Sequence, residues 1–444
     1  MEKIERFRRS IQIDTSWPKD APFGDAAAEA PLRNFQEFLL SSYPTFSKNA
    51  EHWILSPYAM IFRWAGSSAE KPILFTAHYD VVPVEEEKWT TDPFGAEQKE
   101  GYIYGRGTLD MKSILVSLME AAEEAAARGF TPKQDIYFAF GGDEERAGIY
   151  GAIEMRKWFK DKSIHFSWVF DEGTMVTLKQ IAWIDKPLAL LSIEEKGFMS
   201  VELSVDQAPG HASRPPNEQA VVTLAQALLR VSKAPFPFRL TPTVEAFFNK
   251  LGALSSGPIG FFLRHARFFA PLLFAVMGKN STMASLLHTT LAMTQLEGSK
   301  ADNVMPSTVK AVFNLRLLDP WTVESAMEYL RKTIKDDRVK IRLSNLSTNP
   351  VPANPEHAKG EGPGYRIVKD AINKTFPDVP VLPFLMVATT DSRHYKDISD
   401  GIFRFCPQVL PPEELALVHG HDERISIENL HNAQRFYANL IGAL

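Results

Sequence analysis

Pro72-Ile73-Leu74-Phe75-Thr76-Ala77, followed at once by His78-Tyr79-Asp80, is the stretch on which the fold reading turns. A short apolar run that ends in polar residues is the mark of a buried strand delivering side chains to a sheet edge. The pattern recurs around it. Residues 28–43 read as a helix with Leu32, Phe35, Phe38 and Leu39 on one face. Ser113 to Arg128 carries Leu115, Leu118, Met119 and Ala122 at helical spacing, and 135–140 and 165–170 are further apolar runs flanking a helix at 151–159. Strands that alternate with helices predict an α/β layer with a largely parallel sheet.

Near Glu195 the periodicity changes. Residues 199–205 and 309–316 alternate apolar and polar, as half-exposed strands do. With helices at 216–231 and 323–334 and a strand at 339–343, the order is strand–helix–strand–strand–helix–strand. That predicts a small ferredoxin-like α+β unit. A long Phe- and Pro-rich insert occupies about 233–284, and from Pro350 the chain returns to α/β character. The expected organisation is a catalytic domain in two parts, 1–194 and 349–444, with a second domain, 195–348, inserted between them.

Composition narrows the function. The chain has 444 residues, 45% of them hydrophobic and 23% charged, which is ordinary for a globular protein. The net charge of −5 argues against nucleic-acid binding. The single cysteine, Cys406, excludes an intrachain disulfide and a multi-cysteine zinc site, and reads as a small core residue. The greasiest stretch, 268–278, is too short to span a membrane and reads as a buried or interfacial helix. Charges fill the first residues where a signal peptide carries an apolar run, so the expected location is cytoplasmic.

Acids and histidines collect where the runs end. His78-Tyr79-Asp80 fits a metal-binding imidazole steadied by a carboxylate, or a surface or capping pair. Asp110, in Gly105-Arg106-Gly107-Thr108-Leu109-Asp110-Met111-Lys112, is a possible ligand or a helix cap. Asp143-Glu144-Glu145 and Asp171-Glu172-Gly173 follow apolar runs, and His419-Gly420-His421-Asp422-Glu423 lies far downstream. Ligands of open α/β sheets bind at the carboxyl ends of the strands. Two histidines with several carboxylates suit a pair of zinc-like ions.

These five motifs, in this order, resemble the cocatalytic-zinc aminoacylases. That family includes aminoacylase, acetylornithine deacetylase, succinyl-diaminopimelate desuccinylase and the glycine-X carboxypeptidases. Residues 389–395 (Thr-Thr-Asp-Ser-Arg-His-Tyr) and 401–407 (Gly-Ile-Phe-Arg-Phe-Cys-Pro) resemble the glycine-X carboxypeptidase and fatty-acyl amino acid hydrolase branch. The resemblance implies a zinc-peptidase-like catalytic domain with an inserted lid that mediates dimerisation, and two divalent ions, expected to be zinc. It implies that His78 and Asp171 bind one ion, Glu145 and His419 the other, and Asp110 both. His421 competes with His419, which keeps the family spacing. Asp80 would orient His78, and Glu144 would be the general base. His211, in Gly210-His211-Ala212-Ser213-Arg214-Pro215-Pro216, would reach a neighbouring subunit's site and steady the oxyanion. Asn303 would contact substrate, and Arg393 would grip its free carboxylate.

The implied activity is hydrolysis of the amide bond in N-acyl amino acids or short peptides with a free carboxylate. The alternatives are a desuccinylase or deacetylase of a biosynthetic intermediate, favoured by a second acidic-group clamp, and a metal-binding pseudoenzyme. Implied partners are a small molecule or peptide and a second copy of the chain, although the long lid either widens a dimer interface or replaces it. Arg316, on an alternating strand, fits a surface salt bridge as well as any function. Nine phenylalanines between Phe236 and Phe274 either build the insert's core or a dimer contact, or line an acyl channel beside the metals.

Overall fold

The computed structural model describes residues 2–18, 21–179, 181, 183–344 and 346–444. Its main sheet has eight strands in the order Glu51–Ser56, Ala59–Trp64, Ile136–Gly141, Ile73–His78, Trp168–Thr177, Ile402–Leu410, Leu188–Glu195 and Val381–Met386. Ile73–His78 runs parallel to both neighbours, and Ile402–Leu410 runs parallel to Trp168–Thr177. Antiparallel pairing enters at the Glu51–Trp64 hairpin and where Leu188–Glu195 meets Ile402–Leu410 and Trp168–Thr177, while Val381–Met386 runs parallel to Leu188–Glu195. The hairpin and Leu188–Glu195 fall outside the runs singled out in the sequence.

The central strands are buried along their whole length, because helices cover the sheet. Ala26–Ser42 is capped by the Asp25 side chain and buries Leu32, Phe35 and Leu39. Lys112–Ala127 buries Ile114, Leu115, Leu118 and Met119 and packs against the C-terminal helix Ile427–Ile441.

A second, four-stranded sheet, all antiparallel, has the order Thr290–Glu297, Thr308–Leu317, Gly197–Asp206, Lys340–Leu343. Helices Ala220–Ser232 and Val323–Ile334 pack on one face, and Val201, Leu203, Ala311 and Phe313 meet Leu224 and Leu330 in its core. This is the ferredoxin-like arrangement. Gly197–Asp206 is more buried than its alternation suggests, because it is a central strand with partners on both sides.

The insert forms helices Pro242–Leu254, Gly257–Arg264, Ala270–Met277 and Ser281–Ser285. Its core joins the edge of the main sheet: Phe247, Phe248 and Leu251 pack with Leu188, Leu190, Leu382 and Leu385.

Candidate active site

The strand ends bring the acids and histidines together. His78 closes Ile73–His78, and its imidazole is buried. Nδ1 lies 3.0 Å from the backbone carbonyl of Asp80 and 3.4 Å from its carboxylate, while Nε2 lies 3.0 Å from Asp110 Oδ1. The Asp80 carboxylate also accepts hydrogen bonds from the backbone N–H groups of Glu144 (3.1 Å) and Glu145 (3.0 Å). One carboxylate thus positions both the imidazole and the turn carrying the glutamate pair.

Asp110 is the hub. Its Oδ1 faces His78, and its Oδ2 lies 3.0 Å from His419 Nε2, which is also 3.1 Å from Glu145 Oε1. It caps no helix: the Lys112–Ala127 helix has Met111 at its N-cap and no side-chain cap. Burial favours a neutral Asp110, but the two imidazoles overcome it and hold the carboxyl below its ordinary value. His419 is pushed up to about 10, by its hydrogen bonds to Asp110 and then Glu145. The loop bearing Asp110 is fixed by the buried Glu423 carboxylate, which accepts from Arg106 Nη1 (2.6 Å), Gly107 N (3.1 Å) and Leu109 N (2.7 Å). The sequence offered Glu423 only as a spacing marker.

Of the neighbouring acids Asp171 and Glu172, the structure turns the second toward His78. Glu172 Oε1, not Asp171, lies 3.4 Å from His78 Nε2. Both Asp171 oxygens accept backbone hydrogen bonds, from Glu172 N and Ser392 N, each 2.8 Å. The cause is local. Trp168–Thr177 continues through these acids instead of stopping before them. Its register with Ile402–Leu410 slips, with Arg404 opposite Asp171 but Phe405 opposite Thr174. Such a bulge re-aims side chains. Gly173 permits it, since a Cβ there would lie 2.5 Å from Arg404 Cβ.

Glu144 is half-buried, with Oε1 3.5 Å from Arg393 Nη1. Burial pushes its carboxyl up to about 8, against the pull of His78 and Arg393. Glu145 and Glu172 are raised by burial as well. So dense an acid cluster calls for cations. Among the described residues, His78, Asp110 and Glu172 form one group of converging ligand atoms, Asp110, Glu145 and His419 a second, and His78, Glu144 and Glu145 a third. The first two groups share Asp110, and this oxygen- and nitrogen-donor chemistry fits two divalent ions.

The cluster floors a cleft of about 480 Å³. Arg393 lines it, donating to the carbonyls of Thr390 (2.6 Å) and Ala147 (3.3 Å). So does Arg316, from the lid strand Thr308–Leu317, stacked over Phe198 with its buried Nη1 lacking a hydrogen-bond partner. For Arg316 the sequence leaves a surface salt bridge and a functional role equally open, because alternation cannot say what a strand's polar face meets. His211 and Asn303 lie elsewhere on the lid. Both are exposed, the Asn303 carbonyl accepts from Ala212 N at 3.0 Å, and neither lines this cleft. Phe261, Phe262, Phe268 and Phe269 do not line the cleft, and Phe262 lines a separate apolar cavity within the insert.

The sequence profile of Peptidase family M20/M25/M40 matches residues 74–443. The chain belongs to this family. It is 35% identical over 418 residues to a probable carboxypeptidase S-like 2 of Dictyostelium discoideum, covering 93% of this chain and 79% of that one. It is 32% identical over 447 residues to the N-fatty-acyl-amino acid synthase/hydrolase PM20D1 of Mus musculus, covering 98% and 86%. The M20 family metallo-carboxypeptidase Sso-CP2 from Sulfolobus solfataricus shares the fold, with a TM-score of 0.71 at 17% identity over 99% of this chain and 98% of that one. Human carnosine dipeptidase 1 does so with a TM-score of 0.64 at 17% identity, covering 99% and 96%. This M20 chain is a metal-dependent amide hydrolase.

Proposed function

We propose that this enzyme cleaves N-acyl amino acids and short peptides next to a free C-terminal carboxylate. The observation that carries the reading is the pair of arginines, Arg316 and Arg393, in the cleft floored by the acid–histidine cluster. Arginine presents a planar fork suited to a carboxylate, and Arg316 has a nitrogen to spare. Comparing hydrolysis of an N-acyl amino acid with its C-terminal amide tests it. Equal rates would overturn the clamp. Arg316→Ala is expected to raise KM for the acid about 10–100-fold, the size of a lost charged hydrogen bond, and to leave the amide unaffected.

In our reading His78, Asp110 and Glu172 hold one ion, and Asp110, Glu145 and His419 the other. Two such ions, taken as zinc, supply a polarised carbonyl and an acidified water. Glu144 accepts the water's proton at its carboxylate and passes it to the departing nitrogen. Asp80 keeps His78 and the glutamate turn in place. Glu172→Gln is expected to remove one metal per chain while Asp171→Asn retains both, as measured by elemental analysis. The reverse result would restore Asp171 as the ligand.

The exposed His211 supports a homodimer in which it serves the partner's cleft, donating a hydrogen bond where negative charge develops. The lid sheet offers an open edge at Thr290–Glu297 with exposed Met293 and Leu296, and the helix above exposes Val221, Val222 and Leu229. Mixing inactive His211→Ala and Glu144→Gln chains is expected to recover activity. No recovery in chains shown to exchange would place His211 in its own site. On this reading the lid spans 195–348, the catalytic domain flanks it and the location is cytoplasmic. No helix among the described residues is long and apolar enough to cross a membrane.

The same two arginines favour a second reading, a desuccinylase, whose substrate carries a carboxylate at each end. Faster turnover of N-succinyl than of other N-acyl amino acids would select it.

A further inference from the structure

The insert carries a surface that the amide chemistry does not use. From residue 246 to 296 the chain contains Lys250, Arg264, Arg267 and Lys279 and no Asp or Glu, in a protein of net charge −5. Lys250 lies over the Tyr365 ring, while Arg264, Arg267 and Lys279 are exposed. The two short helices here are apolar on their open side. Ile259 and Phe261 (50% exposed) project from Gly257–Arg264, and Leu272 and Val276 (62%) from Ala270–Met277. Arg264 ends the first of them, and the turn that follows holds His265, Arg267 and, at 81%, the most exposed large apolar side chain among the described residues, Phe268. Trp183 is exposed nearby, its indole N–H donating to Ser255 Oγ at 3.1 Å. A cavity of about 440 Å³, lined by Trp183, Ile259, Phe262, Leu272 and Val276 among others, opens between the two helices. Of the acids flanking these segments in sequence, Glu245 lies 3.7 Å from Arg267, and Asp185 is followed directly by Lys186.

We propose that this face docks on an anionic lipid bilayer. Apolar side chains protruding singly among cations suit a deformable acyl layer beneath negative headgroups. Trp183 has the amphipathic ring that settles at such an interface. The cavity between the helices has the size and lining to admit a lipid acyl tail. The helices lie on the membrane and do not span it. The inference stands apart from the amide chemistry, so failure of either leaves the other intact.

The test is flotation of the full-length protein with phosphatidylcholine vesicles, with and without phosphatidylglycerol. Binding is expected only with phosphatidylglycerol, and raising the salt should release the protein. Phe268→Ser is expected to weaken binding about tenfold, the scale of one buried phenylalanine. Arg264→Glu with Arg267→Glu should abolish it, since each lost basic charge alone is worth about fivefold. Hydrolysis of an N-acetyl amino acid should be unchanged in both variants, which also reports that they fold. Four results overturn the proposal: no flotation at low salt, flotation indifferent to lipid charge, flotation undiminished in the variants, or uptake of a soluble fatty acid without vesicle binding. A fall in sedimentation mass on Phe268→Ser would instead assign the face to a second copy of the chain and overturn it equally.

Discussion

Glu144→Gln is expected to lower kcat by about 10²–10⁴-fold, the usual contribution of a positioned proton acceptor, while both metals stay bound. The amide keeps the size of the side chain and removes its basicity. The backbone N–H of Glu144 is held by Asp80, an anchor that the isosteric change leaves alone, while the charge facing Arg393 is lost. Metal content matters as much as rate here, because Glu144 also belongs to a possible ligand group with His78 and Glu145. Loss of a metal together with activity would make Glu144 a ligand. Near wild-type turnover with both metals present would move the proton transfer to another residue. Inactivity of the unmutated chain on every N-acyl amino acid and dipeptide, with metal bound, would revive the pseudoenzyme.

How much of this could be read from the chain depends on how far each feature reaches. That His78, Asp80, Asp110, Glu145 and His419 gather in one place is legible in the chain, because a strand or loop end presents its polar residue at the sheet edge whatever lies beside it. Which of Asp171 and Glu172 faces His78 is not. It hangs on the register slip against Ile402–Leu410, a partner from the far end of the chain. Gly173 was the available hint, since a glycine inside a strand marks a bulge or a close backbone approach. Arg316 was legible as an outward residue of Thr308–Leu317, but its neighbour across the cleft is set by the seating of one sheet against another. The insert's phenylalanines were read as one group, yet they divide. Phe236 joins the lid core, Phe247 and Phe248 join the edge of the main sheet, and Phe261 and Phe268 face outward. Composition predicts that such residues seek an apolar environment and is silent on which one.

Asp110→Asn is expected to remove both metals' common support and with it the activity. Each carboxylate oxygen faces a different imidazole, so one side chain serves two ligand groups. Asparagine offers one oxygen and turns the other position into a donor, which repels a cation. Losing a residue that merely orients a ligand costs about 10–100-fold in metal affinity, and a shared ligand should cost more. A helix-capping role predicts the opposite, because asparagine caps as well as aspartate. Thermal melting separates the two. In chelator, the variant should melt somewhat below the unmutated protein, since the two imidazoles favour the charged carboxylate that the change removes. On adding zinc, the unmutated protein should gain stability in proportion to the logarithm of the metal concentration, and Asp110→Asn should gain little. A variant that responds to zinc as the unmutated protein does would show that Asp110 does not join the two sites.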